Sequence, residues 1–288
     1  MNIIKNRKIF AICSLLIIIA GLLMFFIRGL NYGIDFSSGT LIQINVGKFI
    51  PVDEVRVIMD EYDKEASILH AGNDKEQIII KSTSDFSNDD ITSIINKFVE
   101  KYNIDSDNVL SEKFEASMGK EIRNKALLST LIATVLMLGY ITWRFEFNFG
   151  VAAIVALVHD ILIMLAVYSI LRIPVNSSFI AAILTVLGYS INDTIVIFDR
   201  IRENIKLYPR ETVDNLINNS IKQSLTRTIN TSLTTLISIL VLYVLGVEDV
   251  KILALPLMLG IVAGTYSSLF IATPIWYELK NRKIKTAK

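Results

Sequence analysis

The sequence predicts a polytopic α-helical membrane protein: six transmembrane helices with one small α+β, ferredoxin-like domain between the first and second. Hydrophobic residues make up 52% of the 288 residues and charged residues only 20%, whereas soluble domains carry roughly 25% charged residues. Six apolar stretches reach about 18 residues or more, the length that crosses a bilayer. This composition excludes a soluble globular protein and a disordered one.

Basic residues between the apolar stretches predict the orientation. Lys and Arg concentrate in the N-terminal tail, after the fourth stretch and in the C-terminal tail, which by the positive-inside rule places both termini in the cytoplasm. The first stretch lacks a small-residue cleavage site, so we expect an uncleaved span. The predicted segments are a cytoplasmic N-terminal tail (1–8), six membrane spans (9–27, 126–143, 150–171, 177–198, 229–247, 252–277), an extracytoplasmic domain (28–125), a cytoplasmic loop (199–228) and a basic cytoplasmic tail (278–288).

Two polar segments have patterns of their own. The segment 28–125 contains strand and helix patterns in the order β-α-β-β-α-β of a ferredoxin-like unit. It brings together no evident ligands or catalytic groups, so we interpret it as a contact domain. In the loop 199–228 we expect an amphipathic helix at about 210–225 on the membrane surface. The patterns in the domain are strands at 40–46, 66–70, 77–81 and 108–115, a helix after Pro51, a helix capped by Ser87 or Asn88, and a turn at Gly72-Asn73-Asp74.

The charge balance and the side-chain inventory exclude several functions. The 29 basic and 28 acidic residues give a formal net charge of +1 at pH 7, which excludes a bulk nucleic-acid binder. The single cysteine, Cys13, excludes a disulfide framework and a cysteine-based metal cluster. His70 and His159 are the two histidines. We therefore expect no metal site and no enzymatic activity, and a chemistry that rests on carboxylates, amides, hydroxyls and arginine.

Asp193 in the fourth span is the strongest functional signal, since a charge in a bilayer costs roughly 2.5–3.5 kcal/mol. It lies about a turn and a half inside the cytoplasmic end, between Asn192 and Thr194, and Tyr189 and Ser190 lie one turn earlier on the same face. Such a carboxylate is either protonated or matched by a partner, as a proton carrier requires. The alternative is that Asp193 only forms a hydrogen bond between helices.

The start of the fifth span offers a partner for this carboxylate. Arg227 can pair with Asp193 if the two spans pack together, or it can extend to the membrane surface, and the pattern leaves both open. Hydroxyl stripes of this kind more often join helices than conduct ions. The polar residues at helical spacing in this span are Arg227, Asn230, Thr231, Thr234 and Ser238.

Two further patterns lie in other spans. His159 and Asp160, near the middle of the third span, form either a second proton-active site or a polar contact that fixes helix packing. Gly260 and Gly264 form a GxxxG pattern in the sixth span, which indicates a close approach of two helices.

Three segments together resemble the SecF subunits of the SecD/SecF family. Residues 31–40 are similar to the family's G-I-D-F-x-G-G-T signature, although Ser38 replaces its first paired glycine, which restricts the turn if positive φ is needed. Residues 188–204 are similar to its G-Y-S-I-N-D-T run, and residues 227–235 and 264–268 to its R-T-x-x-T-S-x-T-T and G-T-Y-S-S segments. The matching signature positions include Gly33, Asp35 and Gly39.

The resemblance implies a function that composition does not. SecF and SecD form a complex similar to RND-type transporters, in which each is one half, and it uses the proton-motive force to promote preprotein translocation through SecYEG and release on the outer side. The implied proton-coupling pair is Asp193 and Arg227. The implied partners are SecD, SecYEG, preproteins and membrane lipid, and the location is the bacterial plasma (inner) membrane. The implied supporting polar groups are Ser190, Asn192 and Thr231, with His159 and Asp160 as further candidates.

The coupling ion and three other functions stay open. We expect no cofactor beyond the coupling ion, which is a proton or else sodium, because a carboxylate with hydroxyls and an amide also binds sodium. A stand-alone ion-coupled transporter would need paired broken helices. An intramembrane aspartyl protease would pair Asp160 with Asp193, but it lacks the Gly-x-Gly-Asp context. A purely structural subunit of the SecD/translocon complex fits the same motifs.

Overall fold

The computed structural model describes residues 2–72, 74–105, 108–114 and 116–286, which form a bundle of long helices and a small sheet domain. The elements in chain order are α1 (Ile3–Arg28), β1 (Gly39–Asn45), α2 (Val52–Met59), β2 (Ser67–Ala71), β3 (Gln77–Ser82), α3 (Asn88–Tyr102), β4 (Val109–Phe114), α4 (Ala116–Arg144), α5 (Phe147–Leu171), α6 (Ser177–Leu207), α7 (Val213–Leu245), α8 (Glu248–Ser267), a π-helical segment (Ser268–Ala272) and α9 (Thr273–Thr286).

The predicted membrane fold is confirmed. Within the described ranges, six helices are long and apolar enough to cross a membrane, and the sixth is built from α8, the π-helical segment and α9 in succession. The helices extend beyond the predicted apolar spans, because their polar flanks are also good helix formers. At the start of α1, for example, the side chain of Asn2 caps the helix by accepting from the backbone N–H of Lys5.

The predicted loop between the fourth and fifth spans is mostly helical. Because α6 continues to Leu207 and α7 begins at Val213, only residues 208–212 separate the two helices. The amphipathic helix expected at about 210–225 is the first part of α7 rather than a separate element at the membrane surface. No glycine or proline lies within α7, so the helix continues from the predicted loop into the fifth span without a break. Its apolar side chains at 216, 217 and 221 are buried in the bundle.

The sheet domain has the predicted ferredoxin-like order of elements. Its four strands lie in the order β2-β3-β1-β4, and each neighbouring pair is antiparallel. Alternate residues such as Ile42, Ile44, Ile78 and Ile80 turn one face of the sheet inward, where α3 covers it with Phe98 and its neighbours. Ser87 is the cap of α3 and forms a reciprocal capping box. The predicted turn at Gly72-Asn73-Asp74 includes Asn73, which lies outside the described residues.

A short connecting segment, residues 29–38, joins the sheet domain to the helix bundle, and we call it the strap. Gly33 donates its N–H to the carbonyl of Val175 at 2.8 Å, and Val175 donates to the carbonyl of Asn31 at 2.7 Å. The carboxylate of Asp35 accepts from the backbone N–H of Ser177 at 2.8 Å, at the start of α6. The strap therefore joins the connection between α5 and α6 at one end of the bundle, the domain end.

Close packing requires Gly39 of the signature, whereas the backbone at Ser38 does not require a glycine. A Cβ atom at Gly39 would lie 2.9 Å from Cγ2 of Ile34 and would overlap the carbonyl of Ser82, so the pairing of β1 with β3 excludes one. Ser38 is not among the described residues with positive φ, and the restriction expected from replacing a glycine there does not arise.

A glycine contact sets the distance between α1 and α5. A Cβ atom at Gly21 would overlap the Cα and Cβ atoms of Ala166, so the two backbones touch at this point. Gly139 in α4 has no neighbouring atoms within 4 Å of its would-be Cβ. The two helical glycines therefore differ in packing but not in secondary structure.

We expect Gly21→Val to lower the stability of the purified chain by about 1–3 kcal/mol, the usual cost of overpacking. The added atoms must push α1 away from Ala166. The measurement is equilibrium unfolding by SDS in mixed micelles, followed by circular dichroism, with Gly139→Val as the matched control. Equal transitions for the two variants would show that α1 and α5 do not pack through Gly21.

Candidate functional site

Buried polar side chains of the membrane helices gather between α5, α6, α7 and α8. This arrangement is notable because a bilayer supplies no water to satisfy them, so each must find a partner within the protein. The group consists of His159, Asp160, Ser190, Asp193, Thr194, Ser232, Ser267 and Ser268, all of them less than a tenth exposed. It divides into two centres, one around each aspartate.

The first centre is built around Asp193. Its side chain is 2% exposed, and its Oδ2 accepts a hydrogen bond from Ser232 Oγ of α7 at 3.2 Å. Ser232 Oγ in turn accepts from Thr265 Oγ1 of α8 at 2.7 Å. Three helices therefore contribute to one hydrogen-bonded chain that ends at this carboxylate. A serine hydroxyl can donate to a carboxylate and accept from a carboxylic acid, so the contact suits both protonation states.

Ser232 and Thr265 are residues that the sequence analysis missed. Ser232 is the last of four small polar residues on α7 that recur every fourth position and are all buried. That spacing marks one helix face, so the signal was present in the sequence. The stripe that was predicted lies on a neighbouring face instead. The buried row consists of Ser220, Ser224, Thr228 and Ser232.

The predicted stripe of α7 faces outward. Its members are exposed, and their hydroxyls donate to carbonyls of their own helix: Thr231 to Arg227, Thr234 to Asn230 and Ser238 to Thr234. No ion pair within 4 Å joins Arg227 to Asp193 among the described residues, but Arg227 interacts electrostatically with Asp193, and the side chain of Thr231 reaches the same carboxylate. Asn192 is likewise exposed, because adjacent positions of a helix point in different directions.

The second centre is built around Asp160, which is 0% exposed. Its Oδ2 accepts from Ser190 Oγ of α6 at 2.7 Å and from Ser267 Oγ of α8 at 2.9 Å, and Nδ1 of His159 lies 3.1 Å from its Oδ1. Ser190, which was predicted to support Asp193, therefore supports Asp160. The two aspartates have different hydroxyl donors, and no hydrogen bond among the described residues joins them, unlike the shared proton of an aspartyl protease.

Glycines of α8 allow it to approach α6 closely at and beside the Asp160 centre. A Cβ atom at Gly264 would lie 2.8 Å from Cβ of Ser190, and one at Gly260 would overlap the side chain of Val186. The π-helical segment begins four residues after Gly264, and such segments are frequent at functional sites. Its first residue, Ser268, lies with Oγ 2.8 Å from Oγ1 of Thr194. The GxxxG pattern thus faces the site.

The site offers two carboxylates, several hydroxyls and one imidazole for an ion to bind. Within the described ranges, no three His, Cys, Asp or Glu side chains gather closely enough to hold a metal ion. A proton needs no such cage, because it requires only one basic atom and a neighbour that can donate or accept.

Comparison with known proteins finds relatives along the whole chain. Residues 94–282 match the family described as protein export membrane protein SecD/SecF, C-terminal, and residues 24–48 match the SecD/SecF GG motif. The protein translocase subunit SecF of Dictyoglomus turgidum is 38% identical over 96% of each chain. These matches include the segments that carry the resemblance, and they confirm it.

Two longer relatives contain a counterpart of this chain as one part. The protein translocase subunit SecDF of Bacillus subtilis is 34% identical over 98% of this chain, which spans 38% of its length. A crystal structure of SecDF from Thermus thermophilus, a translocon-associated membrane protein, matches with a TM-score of 0.82 and 35% identity. That match covers 98% of this chain and 39% of the SecDF chain.

We expect Ser232→Ala to destabilise the purified chain by about 1–3 kcal/mol, because it removes a hydrogen-bond donor from a buried carboxylate. Thr234→Ala is the matched control, since that hydroxyl is exposed and bonds only to its own helix. The measurement is again SDS-induced unfolding in mixed micelles near neutral pH. If Thr234→Ala costs as much as Ser232→Ala, the contact with Asp193 does not stabilise the bundle.

Proposed function

We propose that this chain works with a SecD partner and uses the proton-motive force. It belongs to the SecD/SecF family of protein export membrane proteins and is an accessory subunit of Sec protein export. In this role the complex promotes preprotein translocation through SecYEG and release on the outer side. The chain contributes a proton-coupling site and has no catalytic activity of its own. The observation that carries the proposal is the position of Asp193, buried within the membrane helices beside the hydroxyls of Ser232 and Thr231 and within electrostatic reach of Arg227.

Protonation of Asp193 changes the charge that the helix bundle must bury. An ionised carboxylate that is almost completely buried is costly, and protonation removes that cost without removing the hydrogen bond to Ser232. Because Ser232 and Thr265 connect Asp193 to α7 and α8, the two protonation states favour different arrangements of three helices. A proton that binds from one side and leaves to the other can therefore drive a change in helix packing.

The exposed stripe of α7 supports a partner within the membrane. Arg227 and four neutral polar side chains along the helix would face lipid if this surface stayed uncovered, and such groups are expensive there. In SecDF relatives, the counterpart of this chain makes up about two-fifths of a longer polypeptide. We propose that a SecD chain covers the stripe, and that Arg227 balances the charge of Asp193 at this interface.

The arrangement of the chain ends supports a cytoplasmic position for both termini. The backbone N–H of Ile3 donates to the side chain of Asn218 in α7 at 2.9 Å, and Arg7 forms an ion pair with Glu278 at 2.6 Å. The start of α1, the start of α7 and α9 therefore lie at one end of the bundle, opposite the strap. Basic residues concentrate at this end, which we place in the cytoplasm of a bacterial cell. The sheet domain then lies on the outer side, where preproteins emerge.

We expect Asp193→Asn to abolish the gradient-dependent stimulation of translocation while the chain still assembles with SecD. Asparagine keeps the size and the hydrogen-bonding capacity of the side chain but cannot bind and release a proton at physiological pH. The measurement uses inverted vesicles that hold SecYEG, SecD and either form of the chain, with and without a proton gradient, and a parallel set with a sodium gradient. Co-purification with SecD verifies assembly.

Asp199→Asn is the matched control for this experiment. Asp199 lies on the same helix, but its side chain is partly exposed, and its Oδ1 lies 3.7 Å from Nη2 of Arg144 at the end of α4. We expect this variant to keep its stimulation. If Asp193→Asn keeps it as well, the chain is a purely structural subunit, and if only a sodium gradient stimulates the wild type, the coupling ion is sodium.

We expect a photo-crosslinking residue placed at Thr234 or Ser238 to capture SecD in these vesicles. Both positions lie on the exposed stripe of α7, where the proposal places the partner. Leu131 of α4 is the matched control, because it is also exposed and has an apolar surrounding suited to lipid. Crosslinks to SecD from Leu131 and none from α7 would place the partner on another face of the bundle.

A further inference from the structure

His159 carries a ring nitrogen for which the bundle provides no partner. Its side chain is 8% exposed. Nδ1 lies 3.1 Å from Oδ1 of Asp160, whereas Nε2 is buried and makes no hydrogen bond to any described residue. A buried polar atom without a partner costs stability and calls for an explanation.

The protonation state of Asp160 determines which nitrogen of His159 carries the proton. Two serine hydroxyls, from Ser190 and Ser267, donate to Oδ2, which leaves Oδ1 to the histidine. When Asp160 is ionised it can only accept hydrogen bonds, so the nitrogen that faces Oδ1 bears the hydrogen. In a neutral imidazole this leaves Nε2 as a bare lone pair, which is a basic atom inside the membrane bundle.

We propose that His159, oriented by Asp160, is a second proton-accepting site of the membrane bundle, distinct from Asp193. A carboxylate that accepts from one ring nitrogen fixes the tautomer and leaves the other nitrogen to take up a proton. The incoming proton bonds to Nε2 and converts the ring to imidazolium, while the N–H of Nδ1 stays with Asp160. The charge of the pair changes from −1 to 0, and loss of the same proton restores it.

Few other titratable groups face the pair. From α8, the ring of Tyr266 lies parallel to His159 with centroids 6.1 Å apart, and its hydroxyl donates to the carbonyl of Phe10 in α1. From α1 there is also Cys13, which interacts with Tyr266 and is exposed. From α6, Asp193 lies one turn beyond Ser190. No lysine or arginine forms an ion pair with Asp160 among the described residues, so a proton on His159 is what neutralises it.

The two centres share one turn of α8. Thr265 contacts Ser232, which holds Asp193, and Ser267 donates to Asp160. On α6, Ser190 and Asp193 are likewise one turn apart, each at a different centre. Protonation of either centre therefore acts on the same stretch of α6 and α8, next to the π-helical segment.

The histidine content of the chain makes the proposal directly measurable. His70, the other histidine, lies in the sheet domain with Nε2 2.6 Å from the carbonyl of Ile50, and it takes no part in either centre. A full-length chain with His70→Gln and ring-¹⁵N histidine, placed in lipid nanodiscs, reports His159 alone by nuclear magnetic resonance. The probes are pH, from about 4 to about 9 around the ordinary range of histidine, and sodium chloride at fixed pH.

We expect the neutral ring to carry its proton on Nδ1 and to become imidazolium on acidification. Asp160→Asn should change the tautomer or move the midpoint of the titration, whereas Asp199→Asn should do neither. A proton on Nε2 in the neutral ring, or no titration in this range, would overturn the proposal. A response to sodium without a response to pH would overturn it in favour of a sodium site at Asp160.

This measurement is independent of the translocation assay. The ring nitrogens of the wild-type residue are observed directly, so the result does not require a His159 variant that folds. If His159 titrates and Asp193→Asn retains its stimulation, the proposed function fails and the second site stands. If His159 does not titrate and Asp193→Asn loses its stimulation, the second site fails and the proposed function stands.

Discussion

The burial of two carboxylates within membrane helices is the constraint on which the rest of the bundle depends. Lipid cannot satisfy Asp160 and Asp193, so neighbouring helices must present hydroxyls to them. Ser190 and Ser267 do so for Asp160, and Ser232 does so for Asp193. Each of these donors comes from a different helix than its acceptor. The hydrogen bonds therefore specify which helices are neighbours, which apolar contact in a lipid environment does only weakly.

Hydroxyls reach the carboxylates only if the helix backbones come close, and small residues make this possible. Gly264 lies against Ser190, and Gly260 against Val186, so α6 and α8 meet along the side that carries both centres. Gly21 and Ala166 bring α1 against α5 in the same way. The polar centres therefore depend on the glycines, because a larger residue at 264 would displace Ser190, which donates to Asp160.

The fold was predictable from sequence because its signals are local, whereas the partners of the site are not. Hydrophobic length identified the six spans, and alternation identified the strands of the sheet domain. Asp193 and Asp160 stood out because charges in a span are rare. Which hydroxyl meets which carboxylate depends on helix rotation: the stripe that contains Arg227 is exposed, and it meets Asp193 only along its edge, through Arg227 and Thr231. The row that ends at Ser232 had equal periodicity, and only the packing of α6, α7 and α8 distinguishes the two.

The strap gives the membrane site a rigid connection to the sheet domain. Asp35 and Gly33 form hydrogen bonds with the backbone at and just before the start of α6. The helix α6 is 31 residues long without interruption and includes both Ser190 and Asp193. A helix transmits displacement along its axis because its hydrogen bonds lie parallel to that axis. A displacement of α6 along its axis would therefore be carried to the strap, and β1 of the sheet domain begins directly after the strap. The signature around Gly33, Asp35 and Gly39 is thus the joint between the sheet domain and α6, the helix that carries Ser190 and Asp193.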